Sequence, residues 1–388
     1  MKKIGILTFH FVFNNGAVLQ CLALQKALKK LAGDKVEISV IDYQPYYHTN
    51  MYNVIINPFY SAYHLACSFK DRGMLYQIYR FLRNICSNIA KNVNFLTRYK
   101  RKKIFKTYID KHIPVSKLYK TEQELKEDSE SYQAYVVGSD QIWNSKITNY
   151  AIDPVYYLGF LPDSSNALKY AYAASANFLE KEVEQIYQYI KSFDGISVRE
   201  QTAYKWLQEK ELTQSRLDID PTLLLEKQEF AEFEEAIDGL PEDYIVFYGL
   251  EMKDNRNLKE ALMEVQNKLQ MPIVDISPID NKIEGETIRY CVSPGQFLYC
   301  IKNAKYVVTN SFHGSVFSII YEKLFRVVMP NLHSERLSQL LEIYELQGRL
   351  SSNIEEKIDW EKTKEIHLRE RTRSLEYLKE IVDHVYCD

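Results

Sequence analysis

IGILTFHFVFNNGAVLQCLALQKALKKLAGDKVEISVIDY, running from Ile4 to Tyr43, is the stretch that decides the fold. Its opening, IGILTFH (Ile4 to His10), is a β-branched apolar run, and a turn follows around Asn14-Asn15-Gly16. Apolar spacing over 17–31 predicts a helix, and VEISVIDY (Val36 to Tyr43) reads as a second strand. Strand, glycine turn, helix and strand in that order form the βαβ signature of a parallel sheet. The right-handed crossover rule then places the Gly16 turn at the carboxyl edge of that sheet, where such sheets bind ligands.

Working outward, residues 44–130 lose this punctuation: aromatic and basic stretches without alternation predict helices and loops inserted into the first sheet. Regular strand-and-helix order resumes at AYVVGSD (Ala134 to Asp140) and continues through KYAYAAS (Lys169 to Ser175), a helix over 179–192, GISVRE (Gly195 to Glu200) and DIDPTLLL (Asp218 to Leu225). The acidic stretch from Glu226 to Asp243 reads as a crossing between domains. Beyond it YIVFYGL (Tyr244 to Leu250), PIVDIS (Pro272 to Ser277), YVVTNS (Tyr306 to Ser311) and FRVVMP (Phe325 to Pro330) alternate with helices over 255–269, Pro294 to Asn303 and Gly314 to Glu322. That is a second parallel sheet. The reading is therefore α/β, with a first Rossmann-like domain over 1–228, a helical insertion at about 44–130, a second Rossmann-like domain over 229–350, and a charged helical tail over 351–388 that packs back on the first domain.

A chain of 388 residues exceeds what one core usually serves, which agrees with two domains. Forty-nine basic residues against fifty-two acidic ones give a formal charge of -3, so the whole chain offers no general field for nucleic acid. Arg98 to Lys103 is a local exception, five basic residues in six: either a solvated helix face or a contact with an anionic lipid-linked acceptor at a membrane surface. Six cysteines without C-x-x-C pairing or histidine company read as reduced packing residues, and no metal site is expected. The apolar run near Met1 is too short for a signal peptide, and no segment reaches the length of a membrane span. The expected location is the cytoplasm, with peripheral contact at the inner face of the membrane. Thirty tyrosines suit stacking on sugar rings, although base composition of the gene would also enrich them.

The residues that follow each strand carry the candidate chemistry. In Thr309-Asn310-Ser311-Phe312-His313-Gly314-Ser315 a β-branched strand runs into a turn that opens a helix. Helix-start N–H groups with the Ser311 and Ser315 hydroxyls and the close backbone of Gly314 would suit a phosphate or carboxylate. His313 would stand at the mouth as a proton donor or anion holder, or else merely cap the turn. Asn14, Asn15 and Gly16 form either an acceptor-binding turn or a close helix-to-strand contact. Asp140 is a candidate base for a sugar hydroxyl with Trp143 as a stacking wall, or else a cap. Arg199 would clamp a carboxylate or pair with a neighbouring acid.

IGILTFHFVFNNGAVLQCLALQKAL, VVGSDQIWN, YAYAAS, SVRE, DPTLLL, SPGQFLYCIKNAKYVVTNSFHGSVFSII and SERLSQLLEIYELQGR occur in the order that makes the chain resemble the polysaccharide pyruvyl transferase family. The resemblance runs from Lys3 to about Arg349 apart from the insertion, and it implies two Rossmann-type domains facing across a cleft in the glycosyltransferase B arrangement. It also implies an enzyme without a resident cofactor that moves the pyruvyl group of phosphoenolpyruvate, its co-substrate, onto two hydroxyls of one sugar acceptor. The family histidine corresponds to His313. Better-known members precede it with Arg-Leu, where this chain has Ser311-Phe312, so Arg336 or Arg199 is the candidate to supply the positive charge. A nucleotide-sugar glycosyltransferase of the same fold and a non-catalytic sugar-binding protein of polysaccharide assembly are the competing functions.

Overall fold

The computed structural model describes residues 1–67, 73–250, 256–278, 283, 287–330, 334–351, 353 and 356–387. These divide into two compact units, one of residues 1–13, 20–221 and 375–387, the other of residues 14–19 and 222–374. Residue 255, the expected start of a second-domain helix, and residues 352, 354, 355 and 388 of the expected tail lie outside the described residues.

The first unit is built on seven parallel strands: β1 (Lys2–Leu7), β2 (Val36–Tyr43), β3 (Val115–Tyr119), β4 (Ala134–Val137), β5 (Leu168–Ala174), β6 (Gly195–Val198) and β7 (Ser215–Leu217). Their spatial order is β3-β2-β1-β4-β5-β6-β7, which reverses direction between β1 and β4. All four residues of β4 and of β6 are buried, as strands covered by helices on both faces must be. The helices that begin in this part of the chain are α1 (Asn15–Ala32), α2 (Tyr46–Tyr52), α3 (Pro58–Cys67), α4 (Met74–Val93), α5 (Phe95–His112), α6 (Glu122–Glu127), α7 (Val183–Ile190) and α8 (Gln201–Glu209). The insertion is thus not helices and loops throughout, because β3 lies inside it and pairs with β2. Only Tyr119 of β3 is buried, so an edge strand reading VSKLY shows no apolar alternation to detect.

The second unit holds β8 (Ile245–Tyr248), β9 (Ile273–Asp275), β10 (Thr287–Arg289), β11 (Tyr306–Thr309) and β12 (Leu324–Val327), all parallel, in the order β10-β9-β8-β11-β12. Its helices are α9 (Arg256–Leu269), α10 (Pro294–Asn303), α11 (Phe312–Ile320) and α12 (Ser334–Ile343). Ile245, Phe247, Leu258, Leu262, Val265, Ile273 and Val308 pack one face of this sheet against α9 with no exposed surface. Here the order reverses between β8 and β11.

The expectation of two Rossmann-like α/β domains therefore holds. Within the DIDPTLLL stretch Pro221–Leu224 forms a 3₁₀ turn. The long tail helix, α13 (Trp360–Cys387), gives residues 360–374 to the second unit and 375–387 to the first. In the first unit the Tyr377 hydroxyl donates to the Ala171 carbonyl at 3.2 Å, and the Tyr170 hydroxyl meets His384 Nδ1 at 2.7 Å. All six cysteines are free, but Cys86, Cys291 and Cys387 are exposed, so only part of the set serves packing. No described helix is long and apolar enough to cross a membrane.

Candidate active site

In the second unit, β11 ends beside the point where strand order reverses, and the chain turns there into α11. Ser311 caps this helix by accepting the Gly314 N–H on its Oγ at 3.3 Å. The Ser315 hydroxyl donates back to the Ser311 carbonyl at 3.1 Å. Ser311, Gly314 and Ser315 are all buried, so the expectation that these two hydroxyls face an anion is corrected: they hold the turn together.

His313 occupies the first turn of α11 and is only half-buried. Its imidazole lies against Gly16, in the segment 14–19 that belongs to this unit. A Cβ built on Gly16 would stand 2.0 Å from His313 Nδ1 and 2.3 Å from Cγ, which no side chain tolerates. Gly16 is there because the ring needs its space. Beside His313, the Phe312 ring lies edge-on at 5.1 Å, and the Arg336 guanidinium sits over that phenyl ring, 6.0 Å from its centroid. Of the two arginines considered for the missing charge, Arg336 is therefore the one adjacent to the histidine turn.

The two asparagines before Gly16 do different things. Asn14 is exposed, and its Oδ1 accepts the N–H groups of Gly16 at 3.0 Å and Ala17 at 3.3 Å, so it caps α1 rather than binding an acceptor. Asn15 is buried, yet its Oδ1 finds no hydrogen-bond partner among the described residues. A buried amide oxygen left so is costly unless something else satisfies it.

In the first unit, Asp140 lies on the loop after β4, next to that sheet's own reversal point. Its φ of 78° is left-handed, a conformation that costs a non-glycine residue energy and is found more often where a side chain must be aimed. Its carboxylate accepts the Gln141 N–H at 2.8 Å and remains partly exposed. Trp143 is corrected from a stacking wall to a core residue. It is 1% exposed, its Nε1–H donates to the Tyr156 carbonyl at 2.8 Å, and Tyr157 stacks on its face at 5.5 Å. Arg199 is corrected too: it is buried and bonded to the Asp220 carboxylate, with Glu200 at 3.9 Å, so its charge is met inside the protein.

Sequence reasoning took His10 as the end of a strand, whereas the structure pairs it with Asp42 at 2.8 Å across the carboxyl ends of β1 and β2. Its other ring nitrogen meets the Thr8 carbonyl at 3.2 Å, so both nitrogens are engaged and the ring clamps the loop rather than reaching a substrate. Burial pushes the Asp42 carboxyl up, but the His10 bond and charge together with Gln44 outweigh it and hold the group below the usual range. The one signal was a histidine and an aspartate at the ends of neighbouring strands.

His48 sits close by among Phe9, Phe11, Tyr47 and Tyr52. Burial, with the His10 charge adding to it, lowers its pKa from 6.5 to about 3. Between those values the unfolded chain binds a proton that the native protein refuses, so stability falls as pH drops below 6.5 and the loss is complete only below about 3. His48→Phe should remove about 2 kcal/mol of the stability lost between roughly pH 7 and 5. Urea unfolding of both proteins at the two pH values measures this, and equal losses would show that His48 already titrates freely.

The family model for polysaccharide pyruvyl transferase matches residues 14–331. No curated protein gives a significant sequence match. Among solved structures, UDP-GlcNAc 2-epimerase from Methanocaldococcus jannaschii aligns with a TM-score of 0.52 at 13% identity, covering 94% of this chain and 91% of that one. UDP-GlcNAc 2-epimerase from Neisseria meningitidis, bound to UDP-GlcNAc, aligns with a TM-score of 0.48 at 9% identity over 98% of this chain and 94% of its own. The first likeness places the fold in the glycosyltransferase B class and speaks to fold alone.

Proposed function

The chain belongs to the polysaccharide pyruvyl transferase family, and from that premise we propose that it forms a pyruvyl ketal on a sugar of a surface or capsular polysaccharide, or of its lipid-linked precursor, using phosphoenolpyruvate. The observation that carries this reading is the grouping of His313, Gly16, Asn15 and Arg336 at the carboxyl edge of β11. It combines one titratable ring, one cation and one unsatisfied amide at a helix start, which is what a small phosphorylated acid and a polyol would engage.

In this reading His313 delivers a proton to the enol CH₂ carbon, which becomes the methyl group, and positive character develops at the neighbouring carbon. The bond from that carbon to the phosphate oxygen breaks. Two sugar oxygens bond to the same carbon and lose their protons, one replacing that spent on the methyl group and the other leaving on phosphate. Arg336 and the positive end of α11 hold the phosphate and carboxylate while charge moves between them. Asn15 offers its amide oxygen to an acceptor hydroxyl.

Phosphate release measured with phosphoenolpyruvate and a panel of sugar acceptors tests the proposal, with mass analysis of the acceptor. Release that needs both substrates, with an acid-labile pyruvyl adduct on the sugar, is the expected result. Turnover of a nucleotide sugar with none of phosphoenolpyruvate would make the chain a glycosyltransferase instead, and no turnover of either would favour a sugar-binding role. Arg336→Met should raise KM for phosphoenolpyruvate by about 10- to 100-fold, the worth of one charge-assisted contact, with a smaller change in kcat. An unchanged KM would remove Arg336 from the donor site.

A further inference from the structure

Helix α4 is amphipathic in the wrong sense for a protein in water. Asn88 is its one buried residue among those described, and its amide donates to Asn84 at 2.7 Å and to the Pro58 carbonyl at 3.4 Å. On the same side Asn92 exchanges hydrogen bonds with both the N–H and the carbonyl of Ile56, at 2.8 and 2.9 Å. The face turned to the protein is therefore amide-rich. A stripe about 100 to 140° round the helix from Asn88 is apolar: Leu75, Leu82, Ile89 and Val93, spaced seven, seven and four residues apart, are 85%, 56%, 52% and 76% exposed. Leu96, at the start of α5, is 63% exposed as well. An apolar stripe of that length left in water implies something that covers it.

Charge says what the cover is. Between Met74 and Asp110 the sequence holds nine basic residues and one acidic one, Asp110, which pairs with Lys106 at 2.8 Å, in a chain whose net charge is -3. The basic cluster noted in the sequence divides in two. Arg98 donates to the Met51, Asn53 and Val54 carbonyls and Arg101 to that of Phe13, so both hold the insert together. Lys100 and Lys103 are exposed, as is Arg83 on α4, whereas Lys91 donates to Asn88 Oδ1 at 3.3 Å on the inward side. Exposed aromatic residues accompany them, Phe95 and Tyr99 on α5 among others. Apolar stripe, exposed aromatics and exposed lysines together match the chemistry of an anionic lipid surface.

We propose that the α4–α5 face of the insert docks on an anionic lipid bilayer, with the Leu75–Val93 stripe in the acyl boundary and the lysines at the headgroups. Binding is reversible and peripheral, since no described helix can span. This stands apart from the reaction: it holds or fails whichever donor the enzyme uses.

Flotation of the full chain with phosphatidylcholine vesicles, with and without phosphatidylglycerol, tests it. Expected are capture by the anionic vesicles only, release at high salt, and affinity weakened on the order of 10²-fold by Leu82→Glu with Ile89→Glu. Lys100→Glu with Lys103→Glu should weaken it about tenfold or more through charge alone. Both pairs are exposed, and unchanged melting curves would confirm that the variants fold. The proposal is overturned if anionic vesicles capture nothing or if both variants bind as the parent does. It is equally overturned if sedimentation without lipid shows a dimer that the Leu82→Glu, Ile89→Glu pair dissociates, because a second copy then covers the stripe.

Discussion

Replacing His313 by alanine is expected to lower kcat for ketal formation by 10²- to 10⁴-fold, the usual worth of a positioned general acid. The melting temperature should change little, because the ring is half-buried and the cap of α11 is made by Ser311 rather than by the imidazole. His313→Gln separates proton delivery from simple contact: it keeps a polar tip but cannot act as an acid near neutrality, so it should lose as much. Steady-state phosphate release with saturating phosphoenolpyruvate measures both variants. If alanine left kcat within a few-fold of the parent, the histidine would be a structural turn residue and the proposed acid would have to be sought elsewhere.

Gly16→Ala should cost on the order of 10²-fold in kcat/KM although no reacting group is removed. The added methyl carbon would lie 2.0 to 2.5 Å from Nδ1, Cγ and Cε1 of His313, so the whole ring must move by more than an ångström. A displacement of that size in a catalytic group typically costs about two orders of magnitude. The same substitution in the His313→Ala background should cost almost nothing further, because the ring it displaces is already gone. Full additivity of the two losses would show that Gly16 acts on the substrate or on α1 and not through the imidazole.

What the sequence disclosed follows from which physical signals are local. The strands β4, β8 and β11 are short β-branched or aromatic runs with every residue buried, and such burial writes itself as a continuous apolar word. β3 has one buried residue and left no such word. The turn with His313 was legible because a strand running into a small-residue helix is a local pattern. Its neighbour across space was not: Gly16 was visible as a glycine, but that an imidazole fills the space beside it depends on tertiary contact. Trp143 and Arg199 misled for a related reason. Each follows a strand, where ligand-binding residues gather, yet Tyr157 covers one and Asp220 neutralises the other through contacts that spacing cannot announce. In α4 the apolar periodicity was present but marked the face that points away from the protein, and only the buried Asn88, bonded to Asn84, reveals which side is which.

The division of α13 between the units bears on how the chain matures during synthesis. Tyr377 lies so near Gly195 that a Cβ there would stand 2.6 Å from its hydroxyl, and with His384 it covers Tyr170 and Tyr172 of β5. These residues leave the ribosome only after every residue of the second unit has been made. The nascent first sheet therefore waits, with β5 and β6 uncovered, while the second unit is translated and can already close around its own strands. Translation order and closing order are opposed, and β5 and β6 stay open to stray association during that interval.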